Sequence, residues 1–222
     1  MITRDYIMRM INLLATALAR ILFLKKAKDF PQALVEIEKA YKQLLGADRL
    51  LLHRLSDVQL MELLGSDQAL ASSKYYVVGM LLKEEGEILQ LQGKTDEGLS
   101  LYATSLSLLI QSLLNAESPA DPNHTTVTDM LIEHLHAYEI PIRLKEGMFA
   151  YYEFIKMYDK AEDTIFELIE TDATPVQPGV QFYRRLLTKT DEELLRGNLP
   201  RTEVEEGLSQ LLERTSRSTP NG

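Results

Sequence analysis

The fold of this chain is decided by three short stretches: Lys28-Asp29-Phe30-Pro31-Gln32-Ala33, Gly93-Lys94-Thr95-Asp96-Glu97-Gly98 and Lys156-Met157-Tyr158-Asp159-Lys160-Ala161. Each stretch follows one amphipathic segment, opens another and ends in a small residue. Ala33 and Gly98 are 65 positions apart, and Gly98 and Ala161 are 63 positions apart. Recurrence of this kind is the signature of a helical repeat. The spacing therefore predicts three antiparallel helix pairs that cross at the small residues.

The remaining pattern predicts nine to eleven helices in one all-α, repeat-like domain over 1–214, followed by a disordered tail at 215–222. The expected helices lie near 4–28, 31–45, 57–64, 67–91, 95–116, 128–138, 141–156, 159–169, 180–187, 191–195 and 203–213, with loops at 117–126 and 175–179. Capping boxes are expected at Ser56 with Gln59, Thr190 with Glu193 and Thr202 with Glu205. No segment alternates with period two for long enough to predict a strand.

Composition excludes several classes of site. The chain of 222 residues has no cysteine, so disulfides, cysteine-ligated zinc and a thiol nucleophile are ruled out. A formal net charge of −9 disfavours nonspecific nucleic-acid binding, which needs a basic surface. The apolar run from Ile7 to Leu24 contains Arg9, Asn12 and Arg20, so we expect no membrane span.

Charge is unevenly distributed along the chain. Residues 1–54 hold ten Lys and Arg against five Asp and Glu, a net +5, whereas residues 55–222 carry a net −14. One expectation is that this asymmetry steers an acidic partner, or a second copy of the chain, to the N-terminal third. The alternative is that the charges lie on the solvated faces of separate helices.

The first helix is apolar around most of its circumference. At 100° per residue, its polar side chains between Asp5 and Arg20 form a stripe about 80° wide. Because a surface helix needs an apolar stripe of only about 100°, this helix must be covered on several sides. The second helix and the segment 67–92 are expected to cover part of it. We expect the rest to form a homodimer contact through Ile7, Met8, Ile11, Leu14 and Leu18; the alternative is cover by the helix near Val204–Leu212.

The three helix pairs resemble tetratricopeptide repeats. In that family a small residue opens the second helix, as at Ala33, Gly98 and Ala161. The corresponding crossing position of the first helix is Ile21, Gly86 and Phe149, and the large residue after it is Leu24, Leu89 and Tyr152. The resemblance implies an α-solenoid of antiparallel pairs, with gaps of about 30 residues that hold either decayed repeats or insertions. Tyr6–Ile11, Leu44–Gly46 and Leu81–Gly86 also resemble uncharacterised bacterial proteins of this architecture. This second resemblance implies a cytoplasmic bacterial protein.

The resemblance also implies a binding site. The first helix of each pair lines a concave groove in tetratricopeptide proteins, so a protein or peptide partner is expected there. The corresponding positions are Lys83, Glu87 and Gln90 in the middle unit, and Arg143, Glu146, Glu153 and Phe154 in the third. An alternative reading is that these residues are ordinary solvated polar faces.

No catalytic motif stands out. Glu133 and His136 form Glu-x-x-His with Asp129 one turn earlier, but di-iron bundles use two such motifs and the chain has one. No phosphate loop, nucleophile elbow or His-Glu-x-x-His is present. The sequence thus favours a non-enzymatic interaction or scaffold protein without a cofactor or a metal. The alternatives are a self-assembling homodimeric structural protein and a metal-dependent enzyme that uses the Glu-x-x-His face.

Overall fold

The chain forms two compact units of helices, 1–140 and 141–222, in a computed structural model that describes residues 2–116 and 122–217. These described residues contain twelve helices and no strand. Unit 1 holds α1 (Ile2–Lys26), α2 (Phe30–Leu45), α3 (Arg49–Arg54), α4 (Asp57–Gly65), α5 (Gln68–Leu91), α6 (Thr95–Leu114) and α7 (His124–Leu135). Unit 2 holds α8 (Ile142–Phe154), α9 (Tyr158–Glu170), α10 (Gln177–Leu186), α11 (Asp191–Arg196) and α12 (Arg201–Arg217). The all-α class is confirmed, and the single domain over 1–214 stays a prediction.

Several expected boundaries are wrong. The six-residue helix α3 is missing from the sequence-based set, which makes the helix count twelve rather than nine to eleven. The helix α7 begins at His124, inside the expected loop, of which residues 117–121 lie outside the described residues. The helix α12 continues to Arg217, so 215–217 are helical; the rest of the expected tail, 218–222, lies outside the described residues.

The same turn joins the helices of all three pairs. Connections of three residues link α1 to α2, α5 to α6 and α8 to α9, which makes each pair antiparallel. The middle residue is left-handed in each turn: Lys28 at φ 58°, Gly93 at φ 81° and Lys156 at φ 62°. The next backbone N–H donates to the carbonyl five residues earlier, at 2.9 Å in all three turns, a Schellman-type helix end. The repeated stretches therefore encode one local structure.

The small residues lie where the sequence placed the crossings. Ala33 and Ala161 are fully buried. At the α5/α6 crossing, a β-carbon added to Gly98 would lie 2.8 Å from the carbonyl oxygen of Gly86, and one added to Gly86 would lie 2.9 Å from the carbonyl oxygen of Gly98. The two backbones touch there, so neither position has room for a larger residue.

Two of the three expected capping boxes are confirmed. Ser56 with Gln59 and Thr190 with Glu193 each show both reciprocal hydrogen bonds. The third, Thr202 with Glu205, is wrong because α12 already begins at Arg201. A proline at position 200 precedes the helix, and its carbonyl accepts the backbone N–H of Val204 at 3.1 Å.

The helix α5 is the centre of unit 1. It packs against α1, α2, α4 and α6, and its buried residues occur all around the helix. Unit 2 has its own core, in which α8 packs on α9 and α10 packs on α12. Its largest fully buried side chains are Tyr151, Tyr158, Phe182 and Tyr183. Each unit thus has a hydrophobic core of its own.

Candidate partner-binding surfaces

Two buried carboxylates interrupt the apolar surface of α5. Glu84 and Glu85 are adjacent in sequence and are both almost completely buried. A buried charge is tolerated only when it is paired and hydrogen-bonded. Neighbouring helices supply partners for both, and the two resulting networks account for several residues that the sequence assigned to a binding groove.

The first network joins α1 to α5. Lys25, in the last turn of α1, pairs with Glu84 and lies 2.7 Å (Nζ to Oε2) from Glu87. Lys83 lies 2.8 Å (Nζ to Oε1) from Glu84 and 3.2 Å (Nζ to Oε2) from Glu87. Although burial opposes ionisation, hydrogen bonding from Lys25 and the charge of Lys83 keep the pKa of Glu87 below its usual value. Glu87 therefore links α5 to α1 through Lys25, and Lys83 makes its ion pairs within α5.

Gln90 also faces the interior. A β-carbon built on Gly98 would lie 2.6 Å from the Gln90 Cγ, so Gln90 packs at the α5/α6 crossing. Its side-chain amide nitrogen is buried and has no hydrogen-bond partner among the described residues. The three side chains expected to line a groove in unit 1, those of Lys83, Glu87 and Gln90, thus make contacts within unit 1.

The second network joins α3 to α5. Arg49 donates through Nε to Glu85 Oε1 at 2.5 Å, and His53 Nε2 lies 3.0 Å from Glu85 Oε2. Tyr41 packs beside this network with its hydroxyl buried and without a hydrogen-bond partner in the described part of the chain. Burial, followed by the charge of Glu85, raises the pKa of the Tyr41 phenol well above its usual value, so it stays protonated.

Sequence reasoning missed this second network. His53 has no suitable partner close in sequence, because Glu85 lies 32 residues later. The sequence does carry one signal of this network, the Glu84-Glu85 pair within a long and largely apolar helix. Buried carboxylates require cationic partners, so this pair indicates that basic side chains from other helices lie close to it. Arg49 and His53 also line a leucine-rich cleft of about 530 Å³ between α3, α4, α5 and α6.

The residues expected to line a groove in unit 2 are more exposed to solvent than those expected in unit 1. Arg143 and Glu146 are exposed on α8, and Phe154 at its C-terminal end is 48% exposed. Glu153 is engaged, because Arg185 donates to its two carboxylate oxygens at 2.6 and 2.7 Å. Arg143, Glu146 and Phe154 are therefore the predicted groove residues that a partner could reach.

Unit 2 also carries an acidic groove between α9 and α12. Six carboxylates line a space of about 750 Å³: Glu162, Asp163, Glu167, Glu170, Glu203 and Glu206. Tyr183 donates its hydroxyl proton to Glu162. Two lining residues contact Arg214: its guanidinium lies 6.0 Å from the centre of the Phe166 ring, and its Nη2 lies 3.5 Å from Glu170 Oε1.

The Glu-x-x-His face lies on the open side of α7. Asp129, Glu133 and His136 are all exposed. Among the described residues, no group of three or more His, Cys, Asp or Glu side chains is arranged to hold a metal ion. The other histidine of this helix, His134, stacks edge-on against Tyr102 at 5.0 Å between ring centres.

The helix α1 carries an uncovered apolar surface. As expected, α1 packs against α2 and α5, and its buried side chains Met10, Leu14, Ile21 and Lys25 form one stripe. Leu14 is only 2% exposed, so its assignment to a dimer contact is wrong. Met8 is 56% exposed, Leu22 43% and Phe23 72%, whereas Ile7, Ile11 and Leu18 are half-buried. One apolar face of α1, through Met8, Ala15 and Leu22, is thus open to solvent.

Length and composition alone would also allow α1 to cross a membrane. The segment Arg4–Lys26 is long and apolar enough, and only 17% of its most apolar stretch is buried. Within unit 2, α12 packs against α10 and α11, with Val204 and Leu211 buried. The expected cover of α1 by the helix near Val204–Leu212 stays a prediction.

Residues 1–216 match a family of unknown function, DUF6483. The chain belongs to this family. No curated protein and no solved structure matches the chain. The match covers both units, so both are parts of one family architecture.

Proposed function

We propose that the chain is a non-enzymatic protein-interaction protein, built from tetratricopeptide-like helix pairs and acting in the cytoplasm. The observation that carries the proposal is the open apolar face of α1. Soluble proteins rarely leave a contiguous apolar patch of more than a few hundred Å² in water, and larger patches mark interaction sites. The recurring turn and the close crossings at Ala33, Gly98 and Ala161 support the repeat-like architecture.

A protein partner explains α1 better than a lipid bilayer does. Lys25 is buried with Glu84, and the last turn of α1 packs into unit 1. Moving α1 into a membrane would leave Glu84 buried without one of its two lysines, which is costly for an interior carboxylate. Arg9, Asn12 and Arg20 also form a polar stripe that a lipid-facing helix would have to bury.

The test compares two variants of the full chain. Met8→Glu with Leu22→Glu places two charges on the open apolar face, whereas Asn12→Glu places one on the polar stripe. In an affinity pull-down, we expect the double variant to capture at least tenfold less partner than the wild type. Asn12→Glu is expected to capture as much partner as the wild type. A differently tagged copy of the chain counts as a partner. Equal capture by wild type and the double variant would overturn the proposal.

The exposed residues of α8 are the second proposed surface. Arg143 and Phe154 offer a cation and an aromatic ring of the kind that anchors peptide partners. Substituting both by alanine is expected to weaken capture of a peptide partner without lowering the melting temperature. Unchanged capture would remove this face from the proposal.

Two alternatives to the interaction protein are self-assembly and metal-dependent catalysis. Self-assembly is favoured by the apolar side chains that α1 exposes on one face, among them Met8, Ala15 and Leu22. A metal-dependent enzyme would use Asp129, Glu133 and His136, and elemental analysis of the purified protein tests it. Stoichiometric iron, manganese or zinc that disappears in a His136→Ala variant would support the enzyme over the interaction protein.

A further inference from the structure

The helix α3 forms one wall of the leucine-rich cleft of unit 1. Its residues Arg49, Leu52 and His53 line the cleft, and Leu55 continues the wall beyond the end of the helix. The other walls belong to α4, α5 and α6, and they contribute three buried leucines: Leu60, Leu82 and Leu89. A movement of α3 would therefore change the width of the cleft.

Little apolar packing attaches α3 to the rest of the unit. Leu52 is its one buried side chain, whereas Leu50 is 69% exposed and Leu51 is 50% exposed. The neighbouring helix α5, by contrast, buries side chains all around its circumference. Segments with few buried apolar contacts have a low local stability and open before the core unfolds. The packing thus makes α3 a candidate for local opening.

Polar contacts fix the position of α3. The backbone N–H of Arg49 donates to Glu38 Oε2 at 3.1 Å, and its Nε donates to Glu85 Oε1 at 2.5 Å. His53 Nε2 contacts the second carboxylate oxygen of Glu85. A buried ion pair adds little net stability, because both groups regain their hydration when they separate in water. These contacts therefore hold α3 in place without making its detachment prohibitive.

The backbone on both sides of α3 is suited to act as a hinge. Before the helix, Gly46 is left-handed at φ 66°, and a β-carbon added to it would meet no other part of the described chain within 4 Å. Asp48 and Leu55, which flank the helix, are extended at ψ 144° and 139°. Hinges are a few loop or helix-terminal residues that absorb changes in φ and ψ. The capping box of Ser56 with Gln59 fixes the start of α4, so the second hinge lies at 55–56.

We propose that α3 is a hinged wall of the cleft, which detaches from α5 about residues 46–48 and 55–56 and is held shut by the contacts of Arg49 and His53 with Glu85. Detachment uncovers the buried leucines of the cleft and lets water reach the Glu85 carboxylate. The two basic side chains thus act as a latch that controls how far the cleft opens. This role does not depend on the apolar face of α1.

Native-state hydrogen exchange of the full chain measures the detachment. A helix of six residues does not persist alone in water, so its amides exchange once α3 detaches. We expect the amide of Leu52 to exchange about 100-fold faster than that of Ile88 in α5. Arg49→Met strands Glu85 in the closed state and is expected to accelerate exchange in α3 by about tenfold. Arg54→Met, the same substitution at an exposed position of the same helix, is the matched control and is expected to leave exchange unchanged.

A second measurement leaves the latch intact, because the chain has no cysteine and an introduced thiol is the only one present. Leu52→Cys and Ile88→Cys each place a thiol at a buried position, and we expect a water-soluble thiol reagent to label the Leu52→Cys variant about tenfold faster. Equal labelling of the two variants would overturn the hinge. Equal exchange of α3 in Arg49→Met and Arg54→Met would overturn the latch. If Arg49→Met is unfolded, Arg49→Lys gives the same comparison with Arg54→Lys as its control.

Discussion

At Gly86 and Gly98 the backbones of α5 and α6 are in direct contact, so a single methyl group must push them apart. A β-carbon on Gly98 would meet the carbonyl oxygen of Gly86 at 2.8 Å, and backbone cannot rotate away as a side chain can. Gly98→Ala is therefore expected to lower the free energy of unfolding by about 1–3 kcal/mol, despite the higher helix propensity of alanine. Urea denaturation measures the change. Ser100→Ala, at an exposed position of the same helix, is the control, and equal stabilities of the two variants would contradict the close crossing.

Glu162 gives unit 2 a distinct pH dependence. Burial raises the pKa of Glu162, a hydrogen bond from Tyr183 partly opposes this, and the charges of Glu203, Asp163 and Asp159 raise it further. The folded state therefore binds the proton more tightly than the unfolded state does. The resulting stability is present below the ordinary glutamate pKa of 4.5 and is lost as the pH rises through the raised value.

Glu162→Gln removes this titration and can still accept the proton of the Tyr183 hydroxyl. The variant is expected to be more stable than the wild type at pH 7, and its advantage is expected to shrink as the pH falls towards 4.5. Denaturant unfolding of both proteins across this range measures the difference. An advantage that grows on acidification would show that Glu162 stays ionised in the folded state. Glu167→Gln, which is exposed in the same groove, is the matched control.

At the scale of elements, the three hairpin turns offer a comparison within one chain. Lys28, Gly93 and Lys156 occupy the same left-handed position with the same backbone hydrogen bonds, and all three are exposed. A left-handed conformation costs a residue with a β-carbon about 1 kcal/mol, and glycine avoids that cost. Lys28→Gly and Lys156→Gly are each expected to raise the free energy of unfolding by about 0.5–1 kcal/mol, and Gly93→Lys to lower it similarly. Three shifts of the same sign would contradict the equivalence of the turns.

The crossings at Ala33 and Ala161 test the pairing of the helices. Both alanines are fully buried, one between α1 and α2 and the other between α8 and α9. Leucine at either position is expected to overpack the crossing and to cost about 1–3 kcal/mol. Ala27→Leu, at an exposed position in the first turn, controls for the change in side chain. A melting temperature that is unchanged by both buried substitutions would place the crossings elsewhere.

These element-scale features could be predicted from sequence because their determinants are local. The turn, the small residue and the amphipathic period all lie within a few residues of one another, and they gave the three pairs and two of the capping boxes. The Arg49–His53–Glu85 network could not be predicted, because its partners are 32 and 36 residues apart and meet only through packing. The exposure of Met8 and Leu22 on α1 is also a property of packing, since the sequence shows only that α1 is apolar.

At the scale of the whole molecule, each unit buries its own core, which predicts that unit 2 folds alone. Tyr151, Phe182 and Tyr183 are fully buried among α8, α9, α10 and α12, and α12 contributes Leu211 to this core. A fragment of residues 141–217 is therefore expected to be helical and to unfold in one cooperative transition in urea. A fragment of residues 141–200 lacks α12 and uncovers the contact with α10, so it is expected to lose that cooperativity. A disordered 141–217 fragment, prepared beside a folded full-length chain, would show that unit 2 needs the rest of the chain to fold.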